Sequence, residues 1–178
     1  QLFECEYNNT VESANLIECN KEYTGNCCSD YELGTRDKDY YKLNIQKVGI
    51  GQLRLRVPRD LQEELVKAEL VYITEDGKES VMDTLYSSTN PVSYGKEMIL
   101  QAGTYYIKVS GMETAGEALI KTIAGIDYNI ELIYKETQIV ESIEIVSKSK
   151  EYYIGETDTL SAKVLPENAE NKAVTWST

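Results

Sequence analysis

Acidic side chains crowd the first 39 residues of this 178-residue chain. Nine Asp and Glu residues stand there against three Lys and Arg residues, which is half of the formal net charge of −12. In an extended strand Glu4 and Glu6 point to the same side, and so do Asp37 and Asp39. Calcium takes about six to eight oxygen ligands, many of them carboxylates. The cluster therefore indicates a calcium site, with a solvated acidic surface as the alternative.

The absent residue types exclude several functions. The chain has no His, which removes Ser/His/Asp and Cys/His nucleophile pairs, the usual zinc shells and the commonest general base. The acidic balance argues against nucleic acid or anionic lipid as a partner. No stretch reaches the roughly 18 consecutive apolar residues that suggest a membrane span, so we expect no membrane insertion.

All four cysteines, Cys5, Cys19, Cys27 and Cys28, lie in the first 28 residues. Their spacings do not form a CxxC pair, so a zinc knuckle or a thioredoxin-type site is not expected. The crowding favours local disulfides in an oxidising compartment, with three connectivities open. Free buried thiols in a reduced protein are the alternative.

Tyrosine is the second compositional bias, with 14 Tyr against one Phe and one Trp. A Tyr ring joins an apolar face to a polar tip, which suits a binding surface. Tyr105 and Tyr106 lead a set that could form an exposed strip for a protein or glycan ligand, together with Tyr40, Tyr41, Tyr128 and Tyr134. The alternative is that these strand tyrosines fill the core and cap its edges.

Period-two alternation dominates the chain and predicts the elements that must position these residues. We expect strands near residues 41–45, 53–57, 70–74, 81–86, 94–100, 104–110 and 128–134, and a connector helix over 59–68, where Leu61, Leu65 and Ala68 share a face. Residues 1–135 are therefore predicted to form an all-β, mainly antiparallel, jelly-roll-like β-sandwich. A second unit begins at residue 136 and contains three or four short strands.

That second unit resembles the bacterial Ig-like domain of group 2. GET at 155–157, TL at 159–160, LPENA at 165–169 and VTWS at 174–177 occur in the family's order. The resemblance covers about residues 139–178 and implies a partial Ig-like β-sandwich that continues beyond Thr178, because so few residues cannot close a core alone. It also implies an adhesive module or a spacer without catalytic residues.

Residues 1–135 resemble the bacterial pre-peptidase C-terminal domain, a β-sandwich related to collagen-binding domains. The resemblance rests on ECEYNNT at 4–10, YTGN at 23–26, DKDYY at 37–41 and LQAGTYYIKV at 100–109. Some members bind calcium through the opening motif and a later Asp loop. Carried over by position, the implied ligands are Glu4, Glu6, Asn9, Asp37 and Asp39, with Asn8 as a carbonyl donor or orienting group.

Together these observations predict a non-catalytic binding or adhesion segment of a secreted or cell-surface bacterial protein, stabilised by calcium and disulfides. Its expected partners are an extracellular protein or glycan and the neighbouring domains of the same polypeptide. Two alternatives remain open: an accessory part of a secreted hydrolase, such as a peptidase, whose catalytic domain lies elsewhere, and a pure spacer.

Overall fold

A computed structural model shows a chain of β-strands divided into two compact units, residues 1–135 and residues 136–178. The structure describes residues 2–5, 7–27, 37–57, 65–111, 125–147, 151 and 153–177. In this described part no helix has the length and apolar character needed to cross a bilayer.

Two sheets build the first unit, with strands numbered in chain order. The six-stranded sheet contains β1 (Leu2–Phe3), β3 (Tyr23–Cys27), β11 (Ile126–Glu136), β5 (Gly49–Arg56) and β8 (Val92–Tyr94) in that order, and β9 (Met98–Leu100) also pairs with β5. The five-stranded sheet has the order β2 (Asn15–Leu16), β4 (Lys38–Ile45), β10 (Gly103–Gly111), β6 (Val66–Ile73) and β7 (Glu79–Tyr86). The pairs β1–β3 and β2–β4 are parallel.

The core lies between the inner faces of these sheets and follows the predicted alternation. On β4, Tyr41, Leu43 and Ile45 are buried, whereas Lys42 and Asn44 between them are more accessible. Because side chains alternate across a strand, one face of each sheet supplies the core. The prediction of an all-β, mainly antiparallel sandwich is confirmed.

The predicted helix over 59–68 is wrong at its C-terminal end. Residues 58–64 lie outside the described part, but Val66 and Ala68 belong to β6 and are fully buried. This strand pairs with both β10 and β7, so its inner face is part of the core. Sheet pairing and burial decide the conformation here, because a short apolar spacing is a weak helix signal.

The described residues of the second unit contain one antiparallel strand pair, β12 (Ser142–Val146) and β13 (Ser161–Leu165), where the sequence predicts three or four strands. Ile143 pairs with Val164 and Ile145 pairs with Ala162, so these four apolar residues share one face of the pair.

Candidate functional site

The N-terminal segment crosses from one sheet to the other. The Glu4 amide donates to the Thr24 carbonyl at 2.9 Å, which continues the β1–β3 pairing. Four residues later, the Asn8 carbonyl accepts from the Tyr40 amide at 2.9 Å on the five-stranded sheet. Between them Tyr7 has a φ of +75°, in the left-handed region that non-glycine residues rarely adopt. The crossing therefore turns consecutive side chains to opposite environments: Tyr7 is exposed and Asn8 is buried.

Glu4 directs its carboxylate into the sandwich. Its Oε1 atom accepts from the Asn26 amide at 2.5 Å. Its Oε2 atom accepts from the Tyr41 hydroxyl at 2.6 Å and lies 3.3 Å from the Tyr128 hydroxyl oxygen. Glu4 thus binds β3 and contacts one tyrosine from each sheet.

The tyrosine pair, Tyr41 of β4 and Tyr128 of β11, links the sheets through their hydroxyl groups. The two hydroxyl oxygens are 2.6 Å apart, and the rings meet edge to face at 6.5 Å between centroids. The Tyr128 hydroxyl also donates to Asp39 Oδ2 at 2.5 Å. Burial first, and then the nearby carboxylates of Glu4 and Asp39, raise the pKa of both tyrosines. The pair therefore stays protonated as a donor to the two carboxylates.

Gly25 makes room for the tyrosine pair. A Cβ atom at this position would lie 2.3 Å from the Tyr128 hydroxyl oxygen and 2.5 Å from that of Tyr41. A glycine inside a strand often marks such a close approach. In the sequence Gly25 stands out only as part of the family motif at 23–26, although its place within the run YTGNC is a signal of such an approach.

Asn8 and Asn9 lie beside the second acidic motif. The Asn8 side chain is fully buried, and neither its oxygen nor its nitrogen has a hydrogen-bond partner among the described residues. One atom of the Asn9 side-chain amide lies 3.1 Å from the Lys38 carbonyl oxygen and 3.1 Å from Asp37 Oδ1, and hydrogen bonding to both requires the amide nitrogen at that position. Asp37 and Asp39 are themselves buried. Buried amides are normally hydrogen-bonded, so the Asn8 side chain requires an explanation.

The structure brings most of the predicted calcium ligands to this crossing, in two groups. Glu4 and Asp39 meet at the tyrosine pair, and Asn9 meets Asp37, while Glu6 lies outside the described residues. Among the described residues no three acids form a metal-binding group. Calcium also accepts amide and carbonyl oxygens, so the carboxylates and the partnerless Asn8 amide form a donor set of the right chemistry.

The predicted disulfides are not formed by Cys5 or Cys19, which are free thiols. Asn20, next to Cys19, donates to the Leu132 carbonyl, whereas Cys27 pairs with Ile126. Six residues along β11 separate these points by about 20 Å, far beyond the reach of a disulfide. Cys28 lies outside the described residues. Burial raises the pKa of the Cys19 thiol.

The expected exposed strip of tyrosines is not formed. Tyr105 and Tyr106 are each 8% exposed, and Tyr40, Tyr41 and Tyr128 are also buried. Adjacent residues of a strand point to opposite faces, so Tyr105 packs in the core and Tyr106 lies on the outer face of the five-stranded sheet. Tyr105 also lines a pocket of about 320 Å³ with Tyr72, Met82, Ile99 and residues 101–104.

Comparisons with known proteins found similarity to two kinds of domain. No curated protein matches the chain. Among solved structures, the chain is similar to the pre-peptidase C-terminal domain of collagenase from Bacillus anthracis, with 14% sequence identity and a TM-score of 0.46 over 67% of this chain and 93% of that one. That domain carries the name of the family that residues 1–135 resemble. The family model of the bacterial Ig-like domain (group 2) matches residues 139–178, which confirms the resemblance predicted for the second unit.

Proposed function

We propose that this chain is a non-catalytic binding or adhesion segment of a secreted or cell-surface bacterial protein, and that calcium stabilises its first unit. The Ig-like match over residues 139–178 is to a kind of accessory domain that is typical of secreted bacterial proteins. The calcium part of the proposal is carried by Asn8, whose buried amide has no partner among the described residues and lies beside two acidic motifs.

Calcium would be held by carboxylates of Glu4, Asp37 and Asp39 with the amide oxygen of Asn8, and Asn9 would join them by turning its amide so that the oxygen replaces the nitrogen beside Asp37. Glu6 is a further ligand from outside the described part. The bound cation would add positive charge beside these carboxylates. The protein's own residues do the rest. Glu4 joins β3, Asn8 joins β4, and the tyrosine pair holds Glu4 and Asp39 from the inside. The site would therefore fasten the N-terminal segment across both sheets.

A calcium titration of thermal stability tests this part. A ligand that binds only the folded state raises the free energy of unfolding by about 2.7 kcal/mol at a concentration one hundred times its Kd. We expect calcium to raise Tm, EDTA to reverse the gain, and Asp37→Asn to reduce it. Asp76→Asn is the control, because Asp76 lies on an exposed hairpin turn with Lys78. A Tm that does not respond to calcium would exclude the metal and leave the binding role open.

The pocket beside Tyr105 supports the binding part of the proposal. Tyr72 and Ile99 are exposed at its rim, at 38% and 55%, so an aromatic and an aliphatic surface are available to an extracellular protein or glycan. A screen of matrix proteins and glycans should give saturable binding that Tyr72→Ala weakens. Tyr86→Ala is a matched control, since Tyr86 is equally exposed at 39% but does not line the pocket. If no ligand binds, the chain is a spacer.

A further inference from the structure

The outer face of the five-stranded sheet carries a row of three polar side chains, Lys38, Ser110 and Lys67, that belong neither to the proposed calcium ligands nor to the pocket. Ser110 of β10 pairs with Lys38 of β4 on one side and with Lys67 of β6 on the other. Directly opposed residues of antiparallel strands share a face, with Cβ atoms about 5 Å apart. Ser110 therefore lies between two lysines, on the side of the sheet away from the core.

The hydroxyl group of Ser110 is buried without a partner. Ser110 is 4% exposed, and its Oγ atom makes no hydrogen bond to any described residue. A buried hydroxyl normally has a partner, because leaving it unsatisfied forfeits the hydrogen bonds that it made to water. The hydroxyl can donate one hydrogen bond, so an acceptor between the two lysines would satisfy it.

The charges around Ser110 favour an anion. Lys108 and Lys67 already have carboxylate partners, at 2.7 Å from Glu79 and 3.2 Å from Glu69. Lys38 has no ion pair among the described residues, although its charge helps to lower the pKa of Glu79. With Lys42, which lies on the same side of β4 as Lys38, four lysines stand against Glu69 and Glu79 on this face, although the whole chain carries a net charge of −12. A local positive excess on an acidic protein attracts anions selectively.

We propose that Lys38, Ser110 and Lys67 form a binding site for an oxyanion, namely a sulfate, phosphate or carboxylate group. The Ser110 hydroxyl donates to one anion oxygen, and the two ammonium groups donate to the others. A cation is excluded by the flanking lysines. A water molecule would satisfy the hydroxyl but would leave the charge of Lys38 without a counterion.

Inorganic phosphate is the probe for this site, with binding followed by calorimetry and by amide chemical shifts at constant ionic strength. Charge-assisted hydrogen bonds are the strongest contacts in such a site, so Lys38→Gln and Ser110→Ala should each raise the Kd about tenfold or more. Lys78→Gln removes the same charge from an exposed turn, where Lys78 pairs with Asp76, and should leave the Kd unchanged. The shifts should concentrate on the strands that carry the row.

Equal affinity in all three variants, or shifts spread over the whole surface, would show a general salt effect and overturn the proposal. Absence of saturable phosphate binding would overturn it as well. If Ser110→Ala does not fold, Lys38→Gln still decides, because Lys38 lies at the start of its strand and is partly exposed. Dextran sulfate, compared with uncharged dextran, identifies the source of the anion: competition with phosphate indicates a group carried on a polymer, and its absence indicates a free ion.

Discussion

Removing the two hydroxyl groups of the tyrosine pair tests whether they hold the sandwich together at the N-terminal crossing. Tyr41→Phe and Tyr128→Phe each delete one oxygen atom from a buried contact and leave the aromatic packing in place. The double variant deletes both. All measurements are made in EDTA, so that bound metal does not contribute to stability.

Each single change should lower the free energy of unfolding by about 2 to 3 kcal/mol, because a hydrogen bond to a charged group contributes about 1.5 to 3 kcal/mol. Tyr128→Phe removes the donor to Asp39, and Tyr41→Phe removes the donor at 2.6 Å from Glu4. The two hydroxyls also contact each other, so each single variant already breaks that shared contact. We therefore expect the double variant to lose about 1 kcal/mol less than the sum of the singles.

Urea unfolding with a constant m-value measures these differences. Tyr94→Phe is the control, because Tyr94 is 57% exposed and a surface substitution normally changes stability by less than about 0.5 kcal/mol. If both single variants match this control, the hydroxyl contacts do not stabilise the fold. If the two losses are strictly additive, the hydroxyls act independently and the pair does not link the sheets.

Three further results should follow from the same geometry. Gly25→Ala should lower the free energy of unfolding in urea by about 3 kcal/mol, which is more than the loss expected for Gly51→Ala. The new Cβ atom at position 25 meets buried hydroxyl groups, whereas the one at position 51 meets the end of a leucine side chain. Above about pH 10 the tyrosine pair should lower the free energy of unfolding by about 2.7 kcal/mol per pH unit, because the folded pair keeps the protons that unfolded tyrosines lose. Tyr40, whose pKa burial raises to about 12, should steepen this fall up to that pH, and equal stability at pH 10 and pH 11 would contradict the prediction. A thiol reagent should modify exposed Cys5 before Cys19, whose pKa is raised by burial. Mass spectrometry at short reaction times checks this order, and modification of Cys19 first would contradict it.

The strand pattern could be predicted from the sequence where a long strand, such as β5, buries alternate residues. Leu53, Leu55 and Val57 are buried in alternation with Arg54 and Arg56, as their order in the chain indicates. The order of strands within each sheet could not be predicted in the same way. It depends on pairing between distant segments, such as β11 with β3, which the local pattern does not encode.

The failed helix shows where local spacing misleads. Leu65 and Ala68 fit a helical face, but they also fit the start of a buried strand together with Val66. A strand buried on both sides has no strict alternation, and short apolar segments of this kind are ambiguous between the two structures. The pairing of β6 with two neighbours resolves the ambiguity, and this information lies in residues that are far away in the sequence.

The roles of the tyrosines could not be read from their positions for a related reason. Tyr105 and Tyr106 are adjacent, so one must point into the sandwich and the other must point out, yet both are buried. Tyr41 and Tyr128 are 87 residues apart and acquire their role only when the two sheets pack face to face. Their hydroxyls then allow Glu4 and Asp39 to enter the interior as hydrogen-bonded carboxylates. Glu4 and Asp39 from the acidic start of the chain and Tyr41 and Tyr128 from its many tyrosines therefore form one buried polar cluster, although the sequence presents the two biases as separate features.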